Sequence, residues 1–257
     1  MHPVICQVVV APVRAEASDK SEIVSQLLFG ELAQVLEELP RWAKVRCSHD
    51  GYEGYIDPKQ LKKIDSNWVE KFTSKQHTRL NNTIAEADCT TGKINLVKGS
   101  VLPFYTNGMF YLGEEAFYLP EGNRAPEKDI CTTALSYLNA PYLWGGRSPF
   151  GIDCSGFTQV VFSIHGITLP RDAYQQAELG ETINLINETL PGDLAYFDNE
   201  EGKIIHVGIV LEGNRIIHAS GKVRIDKLDH QGIFNEETGS YSHQLRVVKR
   251  VTPPAMP

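Results

Sequence analysis

The sequence predicts an α+β protein in which helices pack on an antiparallel β-meander, preceded by small β-barrel domains. Three observations carry this. Short apolar and β-branched runs separated by turn residues fill the first sixty or so positions, helical periodicity begins only near residue 130, and a succession of strands follows from about residue 193.

Each element has its own signal. "LAQVLEEL" and "WAKVRC" alternate in part, Pro40 and Arg41 separate them, and "HDGYEGY" supplies turn glycines, so residues 1–61 read as one barrel. Residues 62–125 hold a second β-like stretch, "KINLVKGSVLPFYTNGMFYLGEEAFYL", in which "LVKGSVL" is a candidate equivalent of the earlier "LLFGEL". "PEGNRAPEKD" then reads as a linker into a third region, 126–257. Ile130, Ala134 and Leu138 recur every four residues, and their helix must end before Pro141. Phe157, Val160, Val161 and Ile164 fall at i, i+3, i+4 and i+7, with Gly166 placed to end the helix, which puts Cys154 at or just before its first turn. "DAYQQAEL" reads as a short helix capped by Asp172 and ended at Gly180. "LAYF", "IIHVGIVL" and "RIIHAS" are the strands of the meander, turned by "PGD" and "EGN".

A net charge of −7 without a long Lys/Arg run argues against phosphate-backbone or anionic-membrane partners, so neither nucleic acid nor membrane is expected. A small or cationic ligand fits better. The five cysteines are odd in number, widely spaced and without a CxxC pair, which points to reduced thiols rather than a disulfide framework or a zinc site. No cofactor is expected. The first residues lack a basic n-region and no run reaches spanning length, so the expected location is the cytoplasm.

In "GIDCSG", Cys154 stands at a predicted helix start, where backbone amides and the helix dipole favour a thiolate and can face an oxyanion. A nucleophile there needs a base. Of eight histidines, His2, His49, His77, His230 and His243 lie in polar or terminal segments and read as solvated, while His165 sits too far along the nucleophile's own helix. His206 and His218 remain, each in an apolar strand where an imidazole must find polar partners. They share a face only if the hairpin loop is odd, as with Glu212-Gly213-Asn214; His218 then sits opposite Gly208 and diagonal to His206. Spacing alone does not say which is the base.

"PYLWGG", "DCSGF", "LPR", "PGDLAYF", "HVGIVL" and "IIHAS", in that order over residues 126–250, resemble the NlpC family of papain-like cell-wall cysteine peptidases. The resemblance implies a papain-like catalytic domain with Cys154 as nucleophile, His206 as base and His218 as its orienter. Tyr142 corresponds to the family's oxyanion-site tyrosine, or else is an aromatic core residue. The first region, through "VRAEAS" and "WAKVRCSHDGYEGYI", resembles bacterial SH3-like domains, and residues 62–125 do so more weakly. Members with this layout cut murein peptides between γ-D-glutamate and the diamino acid when the N-terminal L-alanine is free, the SH3-like domain walling off one end of the groove. The implied partner is therefore a murein-derived peptide. Asp153 and Ser155 are implied in binding its ammonium, with Asp153 also a natural helix cap. Tyr52 and Trp144 join the substrate-binding set. Glu16 is either a second carboxylate there or a solvated loop residue, and Arg171 either meets a substrate carboxylate or forms a structural ion pair.

Two other readings stand beside this one. An amidase or acyltransferase on the same core would need a water-excluding site that admits an amine. A non-catalytic murein-peptide-binding protein would not need the Cys154, His206 and His218 set. One thiol and two histidines make an incomplete metal site.

Overall fold

Alternation and turn chemistry shape the N-terminal part of the chain. The computed structural model describes residues 1–120 and 129–251, so all of the expected linker but Pro120 and Asp129 lies outside the described residues. Two compact units result, one of Met1–Glu127 with Trp144–Pro149 and one of Lys128–Leu143 with Phe150–Pro257.

In the first unit seven strands form one antiparallel sheet in the order Ile23–Leu28, Val10–Arg14, Glu53–Ile56, Ala43–Cys47, Leu32–Glu38, His2–Cys6 and Leu61–Lys63. Their inward positions, including Val13, Leu27, Val35, Val45 and Ile56, bury one core. Beyond it, a four-stranded sheet contains Ile84–Cys89, Gly92–Val97, Met109–Leu112 and Glu115–Tyr118. Phe29 from the barrel meets Phe110 and Phe117 edge-on over this sheet, at centroid distances of 6.0 and 5.3 Å. A helix, α1 (Ser66–Thr73), interrupts what the sequence presents as β-like; Asp65 caps it by accepting from the Trp68 N–H.

The second unit begins with α2 (Ile130–Leu135), capped by Asp129. It is shorter than the periodicity suggests. The helix ends before Leu138, which is exposed, and Tyr137 is the buried residue there instead. α3 (Cys154–Ile164) buries Phe157, Val160, Val161 and Ile164 as the spacing predicts. Gly166, at φ +76°, ends it, and the Ile167 N–H returns to the Phe162 carbonyl at 3.0 Å. α4 (Ala173–Gln176) carries a capping box between Asp172 and Gln175.

The strands that follow pair antiparallel in the order Glu181–Ile183, Ser240–Arg250, Leu194–Asp198, Ile204–Leu211, Arg215–Ser220, Lys222–Leu228 and Gly232–Asn235. The long strand Ser240–Arg250 also pairs with Gly232–Asn235, so the sheet returns on itself. No helix among the described residues is long and apolar enough to cross a membrane.

Candidate active site

Asp153 starts α3 by accepting the Gly156 N–H at 2.7 Å, and this places Cys154 in the first turn. Cys154 is 7% exposed. The backbone N–H of Val207 hydrogen-bonds to its sulfur, which sets Cys154 beside the residue that follows His206 in strand Ile204–Leu211.

The hairpin after that strand has the three-residue loop 212–214, because Leu211 pairs with Arg215. Gly213 and Asn214 take positive φ, +73° and +55°, as such a loop requires. Gly208 therefore faces His218, and His206 lies diagonal to it on the same side. The rings meet: His206 Nε2 and His218 Nδ1 are 2.8 Å apart.

The register continues one strand further. His218 pairs with Arg224, and Asp226, two residues on, lies diagonal to His218 as His206 does on the other side. His218 Nε2 is 2.9 Å from Asp226 Oδ2. Arg224 donates to both oxygens of that carboxylate, at 2.7 and 2.9 Å. Burial alone would raise the Asp226 carboxyl, but the hydrogen bonds from His218 and Arg224 hold it down to about 2. Neither Asp226 nor Arg224 was singled out by the sequence; carrying the strand alternation past Ser220 would have found both.

A third imidazole joins the site. His243, which reads as solvated from its polar neighbours, stacks on His206 with centroids 4.1 Å apart and planes 23° apart. The long last strand delivers it there by pairing with Leu194–Asp198, whose Phe197 lies opposite His206. His49 and His77 are also half-buried rather than solvated, the first beside Asp50 and the second bonded to the Phe72 carbonyl.

Electrostatics correct one expectation. The helix start does not leave Cys154 acidic: burial, reinforced by the Asp153 carboxylate, pushes the thiol up to about 12 against the Val207 and Ser155 amides and Arg171. Burial, followed by repulsion from His218 and His243, pushes His206 well below the ordinary imidazole range. Both shifts disfavour the charged forms, an environment suited to transfer of the proton from sulfur to His206 as the sulfur reacts.

Around Cys154, Arg171 donates from Nη1 to Asp153 Oδ1 (3.1 Å) and Ser155 Oγ (2.9 Å), and from Nη2 to Asp153 Oδ2 (2.5 Å). Of the two readings of Arg171, the geometry is that of a buried ion pair, since both side chains are almost fully covered. Tyr142 is half-buried and within electrostatic reach of the site. Burial, then the proximity of Cys154 and Asp153, push its phenol up to about 12.

The remaining expected site residues belong to the first unit. Tyr52 is half-buried against the barrel core, Glu16 is exposed on a loop, and Trp144 donates its indole N–H to Glu22.

A cysteine at a helix start, set beside a hydrogen-bonded imidazole pair on an antiparallel sheet, defines a papain-like cysteine peptidase domain. The NlpC/P60 family model matches residues 139–241, and the bacterial dipeptidyl-peptidase SH3 domain model matches residues 13–61. A γ-D-glutamyl-L-lysine dipeptidyl-peptidase of Bacillus subtilis is 33% identical over 225 residues, covering 77% of this chain and 72% of the relative. Dipeptidyl-peptidase 6 of Lysinibacillus sphaericus is 29% identical over 246 residues, covering 84% and 88%. The crystal structure of an NlpC/P60 family protein from Bacillus cereus shares the fold with a TM-score of 0.82 at 21% identity, covering 98% of this chain and all of the other. The chain belongs to the NlpC/P60 family; it is a cysteine peptidase with an SH3-like β-barrel ahead of the catalytic domain.

Proposed function

We propose that the protein hydrolyses the bond between γ-D-glutamate and an L-diamino acid in short murein peptides with a free N-terminal L-alanine, as in cell-wall peptide recycling. The observation that carries this reading is the 225-residue match to a γ-D-glutamyl-L-lysine dipeptidyl-peptidase, too long to fit within the catalytic domain alone.

Catalysis follows from the site. Cys154 Sγ attacks the γ-carbonyl while His206 takes the thiol proton, which suits a thiol too basic to ionise alone. The oxyanion faces the first-turn amides of α3, with Tyr142 within reach of the same space. Collapse breaks the C–N bond, and the His206 imidazolium gives its proton to the departing amine. Water, deprotonated by His206, then cleaves the thioester and frees the L-alanyl-D-glutamate and the thiol. His218 orients the base through the 2.8 Å contact. Asp153 and Ser155 form the polar wall beside the nucleophile that receives the substrate ammonium.

The test compares a free-amine murein tripeptide with its N-acetylated form, products being identified by mass. Cleavage of the free amine alone, lost in Cys154→Ala with the circular dichroism spectrum intact, is expected. Equal cleavage of both forms removes the ammonium subsite, and hydrolysis by Cys154→Ala removes the thiol mechanism.

A further inference from the structure

Donor and acceptor accounting along the diagonal from His206 to Asp226 fixes more than the position of the base. Asp226 is a carboxylate with both oxygens engaged by Arg224, so it can only accept. The 2.9 Å contact with His218 therefore requires the His218 proton on Nε2. In its neutral form His218 then has a bare Nδ1, and the 2.8 Å contact with His206 requires that ring's proton on Nε2. What remains on His206 is a lone pair on Nδ1. The opposite tautomer of His218 would donate from Nδ1, turn His206 Nε2 into an acceptor, and put the His206 proton on Nδ1, where it cannot receive another from sulfur.

We propose that Asp226, clamped by Arg224, is a positioning residue that selects the tautomers of both histidines and so makes Nδ1 of His206 the basic atom. The assignment rests on His206 being the base, as in the proposed function. Asp226 acts two rings away from the sulfur and touches no reacting atom. Its whole effect passes through proton placement: when His206 takes the thiol proton on Nδ1 it keeps Nε2–H pointed at His218, and His218 keeps its own proton on Asp226. No proton moves along the row, and the carboxylate supports the imidazolium only through two oriented dipoles. Arg224 is held in turn by Glu237 and Asn235, each at 3.3 Å, which leaves the carboxylate little freedom to rotate. The sheet supplies the spacing, because each member of the row is one diagonal step from the next.

Asp226→Asn tests this, since the amide keeps the shape but can turn its NH2 toward His218 and favour the wrong tautomer. The expected result is a fall in kcat of roughly 100-fold with KM little changed, because substrate binding is not touched. The decisive readout is ¹⁵N NMR of the histidine-labelled full chain, which distinguishes Nδ1–H from Nε2–H without turnover. Wild-type protein should show both His206 and His218 as Nε2–H tautomers, and Asp226→Asn should show Nδ1–H populated in both. A wild-type spectrum with His206 protonated on Nδ1 overturns the proposal, as does an Asp226→Asn protein with wild-type tautomers and kcat within twofold. Should the variant fail to fold, the wild-type spectrum alone decides. Because the spectrum does not depend on hydrolysis, failure of the peptidase reading itself, seen as activity in Cys154→Ala, is told apart from failure of the tautomer assignment.

Discussion

Arg147 in the first unit and His218 in the second are both buried, at 0% and 1% exposure, and both end on a carboxylate, yet they behave in opposite ways. Arg147 donates to both oxygens of Glu31 at 2.6 and 3.1 Å and to the Gln26 carbonyl at 2.6 Å, while Arg79 adds a second cation on Glu31. Burial would raise the Glu31 carboxyl, but Arg147, His49 and Arg79 hold it well below the usual range. The Glu31 carboxylate and the two guanidinium groups on it keep their charges near neutral pH. The row of the second unit carries two imidazoles, and its carboxylate, besides pairing with Arg224, also orients the proton of His218. Buried polarity of one kind fixes a segment, here Trp144–Pro149 within the first unit; of the other kind, it leaves a lone pair ready for use.

The largest stability effect comes from the closed pair. Glu31→Gln leaves a fully buried guanidinium without its countercharge and should cost about 3–5 kcal/mol in urea unfolding. Replacing both partners by apolar residues, Glu31→Leu with Arg147→Met, should recover part of that loss, because the fully buried guanidinium is gone while Arg79 still loses its carboxylate. A cost below about 1 kcal/mol for Glu31→Gln would mean that the cluster is solvated in solution, and the comparison would lose its first member.

A methyl group aimed at the histidine row should act mainly on turnover. Gly208 lies opposite His218, and a Cβ there would come 2.9 Å from His218 Cβ and 2.7 Å from Ile216 Cδ1, closer than side chains tolerate. Gly208→Ala should therefore displace His218, lowering kcat by 10- to 100-fold for a stability cost of about 1–3 kcal/mol. Steady-state kinetics and thermal melts read the two separately. Unchanged kcat would show that the row tolerates a shift of its middle member, and the geometric argument for His218 would weaken accordingly.

The parts legible in the sequence are those written in local periodicity. The helix of Cys154 follows from four apolar positions and a terminating glycine, and the side shared by His206 and His218 follows from an odd loop of residues that accept positive φ. What was not legible depends on partners far along the chain. His243 sits between polar residues, and only the return of the last strand past Leu194–Asp198 buries its ring against His206. Arg147 meets Glu31 and Gln26 more than a hundred positions earlier, a pairing that no window of sequence contains. Asp226 is the intermediate case, because it reaches the side of His218 through the next tight turn, from Ser220 to Lys222, but a strand of alternating lysine, arginine and aspartate does not advertise a buried acid. The thiol differs from the expectation for a physical reason. The helix start favours the thiolate, while the burial that comes with an apolar helix and a covering strand disfavours it more.

The smallest effect concerns the stacked imidazole. Burial, and then the neighbouring charge of His218, push His243 down to about 4, and His206 is also pushed well below its ordinary range. An unfolded chain would hold both near 6.5. Between about pH 6.5 and 4 the unfolded state therefore binds more protons than the folded one, so stability rises with pH across that window. The contribution is present above the unfolded value and is lost as acid charges the rings. His243→Phe keeps a flat ring against His206 but removes one titrating group, so urea midpoints measured from pH 7.5 to 4.5 should fall less steeply than in the wild type. The remaining slope in this window belongs to His206, to His77, whose imidazole burial also lowers, and to the carboxylates that begin to titrate at its acid end. An unchanged slope would place the protonation of His243 outside the folding equilibrium, and the second unit would then hold one fewer neutral imidazole than its stacking implies.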